Sequence, residues 1–250
     1  MSTIHERSIP TQGDASEGRA AVVTGGSTGL GLALVRALSA AGWRVVTDAR
    51  DAARLTEATT SLPDVTAIPG DVRDPAHQAA LADAVRVLGR LDLLVHNASE
   101  LGPMRPLADV VPQEFAAVLS TNLVAPLALT QRLLPWLLGC QGTLVGVSSD
   151  AAIAHYQTWG TYAAGKAALD HLVLTLGTET GLRTYAVDPG DMRTQMQQRA
   201  FLGQDISDRP PPEAVVPHLM ALIGSGLPSG RYRAAHIAPA EPTATAEATA

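Results

Sequence analysis

Three residues in the second half of the chain have types and a spacing suited to moving a proton onto a carbonyl oxygen. Ser149 ends an apolar run, Tyr162 follows thirteen residues later, and Lys166 comes four residues after that. Residues four apart share one face of a helix, so the phenol and the ammonium stand together. A phenol titrates near pH 10, and a cation beside it favours phenolate, which draws its proton exchange toward neutral pH. The ammonium's three donors could also hold a ribose hydroxyl while the phenol gives its proton away. Ala163, Ala164 and Gly165 between them are small enough for a flat cofactor to lie against the helix. An arbitrary Tyr-x-x-x-Lys is more often a core tyrosine and a surface lysine. Here, however, Lys166 is the only lysine among 18 basic residues, all the others being arginine. Lysine offers a compact, tunable charge that arginine does not, so the position stands out from an Arg-biased composition.

A second constellation lies near the start. Thr24-Gly25-Gly26-Ser27-Thr28-Gly29-Leu30-Gly31 sits between an apolar run and an amphipathic segment. Glycines allow a tight turn with close backbone approach, and the N–H groups that open a helix favour a phosphate. Placement between strand and helix turns a weak glycine cluster into a dinucleotide-binding candidate. About twenty residues on come Asp48 and Arg50. An acid at this strand end would bond the adenosine ribose of NAD, and an arginine would receive the 2′-phosphate of NADP. Counting from Gly42 puts Ala49 at the strand tip and Arg50 just beyond, with Asp48 turned elsewhere. NADP(H) is therefore favoured and NAD(H) remains possible, since a one-residue slip would reverse the side-chain directions. Asp71 and Val72, after Pro69-Gly70, are placed at the adenine, with Asp71 accepting from its amino group; the alternative is an Asp that starts the next helix. Asn97 and Ala98 close another strand with small and amide groups that can pin a loop beside the cofactor.

The elements that must position these residues alternate. Apolar runs at Ala20–Thr24, Arg44–Thr47, Val65–Ile68, Leu91–His96, Thr143–Ser148 and Arg183–Asp188 read as strands. Leu30–Ala41, Ala52–Ser61, Pro75–Leu88, Pro112–Leu138 and Tyr162–Thr178 carry apolar residues at three- and four-residue spacing and read as helices. This predicts an α/β fold, a single-domain, Rossmann-type, doubly wound parallel sheet with helices on both faces. Such sheets bind ligands beyond the carboxyl ends of their strands, where the distinctive residues fall. The domain is expected over 19–237, with flexible tails at 1–18 and 238–250, both poor in bulky apolar residues.

The composition excludes several classes. The chain of 250 residues is 46% hydrophobic and 17% charged with a net charge of −6. It has no block of basic residues for gripping nucleic acid phosphates. No run of roughly 18 uninterrupted apolar residues suggests a membrane span, and the polar start lacks a signal-type apolar core. One cysteine, Cys140, permits no internal disulfide and suits a cytoplasmic location. The seven histidines form no metal-ligand pair of the H-E-x-x-H kind.

Taken together, the Thr24–Gly31 loop, Asn97-Ala98, Asn122, Ser149, Tyr162, Lys166 and Pro189-Gly190 followed by Thr194 resemble the compact, 250-residue branch of the short-chain dehydrogenase/reductases. The resemblance runs from about Ala20 to Leu227, with several motifs in the correct order. It implies an Asn-Ser-Tyr-Lys tetrad. Tyr162 would be the general acid/base, Ser149 would orient the substrate oxygen, and Lys166 would bind ribose and tune Tyr162. Asn122 would hold a water in the proton relay, and Thr194 would contact the nicotinamide carboxamide, near Pro189 and Gly190. His96-Asn97-Ala98-Ser99 departs from the family's Asn-Asn-Ala-Gly. Gly177–Arg183 looks shortened, and Ser229–Ala234 lacks the usual acidic-Gly-Gly ending.

The expected function is an NADPH-dependent ketoreductase acting on a small, hydrophobic or cyclic carbonyl compound. Ala151, Ile153, His155, Tyr156 and Trp159 would supply an apolar wall, and Met192–Asp208 a lid. The alternatives are an NAD-dependent alcohol dehydrogenase on the same site and a non-catalytic dinucleotide-sensing module. Retention of all four tetrad members speaks against the last. By resemblance, the chain is expected to form a homodimer or homotetramer, and neither nucleic acid nor membrane is expected as a partner.

Overall fold

A computed structural model of the chain describes residues 18–239. Most of both expected tails therefore lies outside the described residues. Seven strands form one sheet: β1 (Ala20–Val23), β2 (Arg44–Ala49), β3 (Val65–Pro69), β4 (Leu93–His96), β5 (Thr143–Val147), β6 (Arg183–Asp188) and β7 (Gly230–Arg233). Their order is β3-β2-β1-β4-β5-β6-β7 and every pairing is parallel. Between β1 and β4 the winding reverses, so the crevice for a ligand opens beside the end of β1.

Successive strand residues point to opposite faces, and both faces are covered. Ala21, Val23, Val45, Leu93, Val95, Val145, Val147, Tyr185 and Val187 enter one core with α1 (Gly29–Ala40). Their neighbours Val22, Val46, Leu94 and Leu144 enter the other. That second core is completed by α3 (Pro75–Leu88), α5 (Ala125–Cys140) and α6 (Gly160–Thr180). Burial on both sides is why these strands read as continuous apolar runs. Helix ends follow local chemistry. The Asp51 carboxylate accepts from the Arg54 N–H at the start of α2 (Ala52–Thr59), and Asp74 accepts from Ala76 ahead of Pro75 in α3. Gly181, at φ 74°, ends α6 in the left-handed region.

Element ends shift by one or two residues from the sequence reading, and one expected helix changes in kind. β2 continues two residues past Thr47 to Ala49, and β4 starts at Leu93 rather than Leu91. The expected single helix 112–138 is instead α4 (Pro112–Leu119), a π-helical segment at Ser120–Val124, then α5. A π turn inserts a residue without breaking the apolar face, so periodicity passes over it. The whole stretch Pro112–Cys140 is long and apolar enough, by length and composition, to cross a membrane. Counting uninterrupted runs missed this, because scattered polar residues break the run but leave the mean hydropathy high. Leu129, Leu133 and Leu137 of α5 are buried in the second core, which is the place of a core helix.

Two further helices follow β6, α7 (Gln195–Ala200) and α8 (Val216–Ser225). The first lies within the expected lid.

Candidate active site

The glycine turn is built so that side chains are excluded. Gly25 and Gly29 have φ of 74° and 56°, and a Cβ on Gly31 would lie 2.3 Å from the Gly25 carbonyl oxygen. Thr28, the residue before α1, makes no side-chain capping bond, so the opening N–H groups of this 12-residue helix stay available. This cradle fits a dinucleotide pyrophosphate. Asn97 braces it, its Nδ2 donating to the carbonyls of Thr24 at 2.8 Å and Gly25 at 3.2 Å. The N–H groups of Asn97 and Ala98 both donate to Thr24 Oγ1 at 3.0 Å. Ser27 and Leu30 complete the turn, Leu30 packing into the core beneath it. Thr194 is the N-cap of α7, and its Cγ2 lies 3.5 Å from where a Gly29 Cβ would be. The segment after β6, with Pro189 and left-handed Gly190, is thereby brought against the glycine turn.

Asp48 points inward. Its Oδ1 accepts from the Gly25 N–H at 2.8 Å, and its Oδ2 lies 2.9 Å from Nε2 of His77, with both side chains buried. Arg50 sits at the rim with its side chain 61% exposed, donating to Glu100 at 2.6 Å. Asp71 receives a fork from Arg73, Nη2 at 2.6 Å and Nε at 3.0 Å, which holds its carboxyl below the usual range. It does not start the next helix; Asp74 does. The carbonyl of Val72 accepts from Gln78 Nε2 at 2.7 Å.

At the other end of the crevice, Ser149 caps a short turn after β5, its Oγ accepting from the Ala151 N–H at 3.2 Å. Tyr162 and Lys166 stand one turn apart on α6, both buried. Lys166 is only 2% exposed, and its Nζ donates to the Val147 carbonyl at 2.7 Å and lies 5.6 Å from the Tyr162 ring centre. Burial pulls the Lys166 ammonium down to about 8, with Asp170 opposing. Asn122, in the π segment, packs on Gly165, where an added Cβ would lie 3.2 Å away. Its amide is already engaged: Oδ1 accepts from Glu100 N at 2.8 Å and Ser99 Oγ at 3.2 Å, and Nδ2 donates to Glu100 O at 2.9 Å.

One expectation is corrected here. The Tyr162 phenol is pushed up, not down: burial dominates, the charges of Asp150, Asp188 and Asp170 add to it, and its bond with Ser149 opposes. The Lys166 charge does not overcome this, because its ammonium is tied to Val147 rather than to the phenol oxygen. Tyr162 is protonated at neutral pH, as a phenol ordinarily is, and without a bound cofactor its burial holds the proton more firmly still.

Several participants carried no sequence signal. His96, which departs from the expected amide, is buried against Thr130 Oγ1 at 2.7 Å, and burial lowers its pKa to about 3, so it is neutral. Arg231 of β7 donates to Asp170 at 3.0 Å and to the Ser149 carbonyl at 2.7 Å, fixing the serine turn from behind. These contacts span 61 and 82 residues, beyond any local spacing rule.

A parallel Rossmann-type sheet, a phosphate cradle after its first strand and a tyrosine–lysine pair after its fifth define an NAD(P)-dependent oxidoreductase acting on CH–OH or C=O groups. The family model described as short chain dehydrogenase matches residues 19–205. The chain belongs to the short-chain dehydrogenase/reductase family. It is 34% identical over 189 residues to an L-xylulose reductase of Bos taurus, covering 74% of this chain and 76% of that one. To an L-fucose dehydrogenase of Rattus norvegicus it is 31% identical over 185 residues, 72% and 68% of the two chains. A short chain dehydrogenase from Escherichia coli CFT073, solved in complex with NADPH, superposes with a TM-score of 0.81 at 28% identity, covering 86% of this chain and 96% of that one.

Proposed function

We propose that the protein is an NADPH-dependent ketoreductase for a small, hydrophobic or cyclic carbonyl compound. The observation that carries the cofactor choice is the orientation of β2's end. Both oxygens of Asp48 are engaged beneath the glycine turn, by Gly25 and by His77, so that acid is withdrawn from a ribose. Arg50 faces outward in a largely exposed pair with Glu100. Exposed pairs are worth about 0–1 kcal/mol, so Arg50 can exchange that partner for a 2′-phosphate at little cost. The relative solved with NADPH supports the same choice.

The dinucleotide, when bound, supplies the hydride. Thr24–Gly31, with Asn97 and Ala98, holds its phosphates; Asp71 and Val72 face the adenine; Pro189, Gly190 and Thr194 hold the nicotinamide end. Lys166 binds the ribose. Ser149 orients the carbonyl oxygen, and Tyr162, a neutral phenol at pH 7, gives that oxygen a proton. Asn122 sits against Gly165, the residue before Lys166; with its side-chain amide taken up by Ser99 and Glu100, a relay water would have to meet its main chain.

Replacing Arg50 by Ala is expected to raise the KM for NADPH about tenfold or more, the loss of one charge-assisted bond, with the KM for NADH little changed. Calorimetric titration of the wild type with each nucleotide tests the assignment directly. A clear preference for NADH would replace it with the alcohol dehydrogenase reading.

We also propose a homodimer or homotetramer formed by the outer side of α4–α5. Val124 and Leu138 leave large apolar side chains exposed there. Light scattering at micromolar concentration is expected to give a multiple of the chain mass; a strict monomer would count against it.

A further inference from the structure

The residue after Ser149 is Asp150, and it is the carboxylate nearest the reacting groups in sequence. Ser149 Oγ donates to its Oδ1 at 3.1 Å, and the Tyr156 hydroxyl donates to its Oδ2 at 2.7 Å. Each oxygen thus has one partner and a spare lone pair. Among the ion pairs of the described residues none involves Asp150, whereas the other charges nearby are matched. Arg231 pairs with Asp170, Arg233 with Asp188 and Arg209 with Asp191. Asp150 therefore presents an unneutralised charge at the lip of the site, close enough to raise the proton affinity of Tyr162.

Its surroundings are apolar and aromatic. The Trp159 ring lies edge-on to Tyr162 at 5.8 Å and to Tyr156 at 6.4 Å, and Phe201, just after α7, tilts against it at 6.0 Å. Phe201 in turn carries the Arg209 guanidinium at 4.2 Å. Ligand sites of this type derive fit from the walls and selectivity from a few polar groups.

We propose that Asp150 determines specificity: it selects carbonyl substrates that carry a hydrogen-bond donor, hydroxyl or ammonium, beside the reacting carbon and turns away those that carry a carboxylate there. This rests on the ketoreductase reading and deepens it. The bond changes are those already given, hydride to carbon and the Tyr162 proton to oxygen; Asp150 takes part in neither. A donor on the substrate would meet the spare lone pairs of Asp150 while its ring lay on Trp159. An anion would meet a like charge within a few ångströms, inside the distance over which salt screens.

The test uses aryl ketones in matched forms: acetophenone, its α-hydroxy and α-ammonio derivatives, and phenylglyoxylate, whose carboxylate adjoins the reacting carbon. With NADPH, the wild type is expected to favour one or both donor-bearing forms over the carboxylate by about a hundredfold in kcat/KM. The hydroxy and ammonio arms show which donor is preferred. Asp150→Asn keeps one acceptor oxygen, for Ser149 or Tyr156, turns an NH2 toward the other hydroxyl and removes the charge, and should shrink that ratio at least tenfold. Tyr156→Phe, which leaves the charge, should keep the discrimination against carboxylate. Melting temperature and NADPH affinity report whether each variant is folded. An unchanged ratio in a folded Asp150→Asn would overturn the inference and leave the reductase reading standing. Failure of the wild type to reduce any member would remove the reductase reading and this inference with it.

Discussion

Tyr162→Phe is expected to lower kcat/KM for every accepted ketone by about a thousandfold or more, while NADPH still binds within a few-fold of the wild-type affinity. The magnitude follows from the loss of a general acid, typically worth 10²- to 10⁴-fold. Loss of the fold is not the cause, because phenylalanine fills the same volume. Tyr162 is packed edge-on against Trp159 at 5.8 Å, and phenylalanine retains that contact. The deletion also removes a hydroxyl whose proton is unusually firmly held. Burial and the charges of Asp150, Asp188 and Asp170 raise the phenol above its ordinary value. Wild-type reduction should accordingly show no loss of rate between pH 7 and 9 that traces to Tyr162 ionising. Stopped-flow measurement of NADPH oxidation, with fluorescence titration for nucleotide binding, reads both quantities. Turnover within tenfold of wild type in this variant would move the acid role to another group.

That result would also bear on what local sequence can say. The tyrosine, the lysine and the glycine turn were legible because each obeys a short-range rule: i to i+4 on a helix face, or glycine where the backbone must close up. The turn at Asn97-Ala98 was legible for the same reason. The direction of the Tyr162 shift was not, since it depends on burial and on carboxylates 8 and 26 residues further along the chain and on one 12 residues back, in the turn after β5. Asp48 illustrates the limit in another way. Its register on β2 was readable from Gly42, yet its partner His77 lies 29 residues further on, in α3. The π segment around Asn122 escaped because its apolar pattern continues through the inserted residue. Ser229–Ala234 lacks the family's acidic-Gly-Gly ending, yet the segment forms β7, whose Arg231 and Arg233 pair with Asp170 and Asp188.

The second large effect is expected at Lys166. Lys166→Arg keeps a positive charge, yet kcat/KM should fall by about a hundredfold to a thousandfold. Lys166 is among the largest fully buried side chains, and its single-point ammonium reaches the Val147 carbonyl at 2.7 Å. A planar guanidinium is larger and presents its donors in a fixed fork, so it cannot reproduce that contact and also meet a ribose. Overpacking of this kind costs about 1–3 kcal/mol, which a domain with about 5–15 kcal/mol of stability tolerates. The variant should therefore be folded, with a lower melting temperature. Lys166→Met separates charge from volume. In the wild type the folded pKa is about 8 against an ordinary 10.5. The unfolded chain thus binds more protons between those values, and this group adds stability as pH rises from about 8 to 10.5. Below pH 8 the folded state carries the full cost of a buried ammonium. The methionine variant should lose that pH-dependent gain and match or exceed wild-type stability at pH 7, while being nearly inactive. Wild-type kcat/KM should also decline as pH rises through about 8, where the charge proposed to hold the ribose is lost. Denaturant titrations at pH 7 and 10, together with the pH–rate profile, measure all three. Near-normal turnover in Lys166→Arg would reduce the only lysine of the chain to a structural residue.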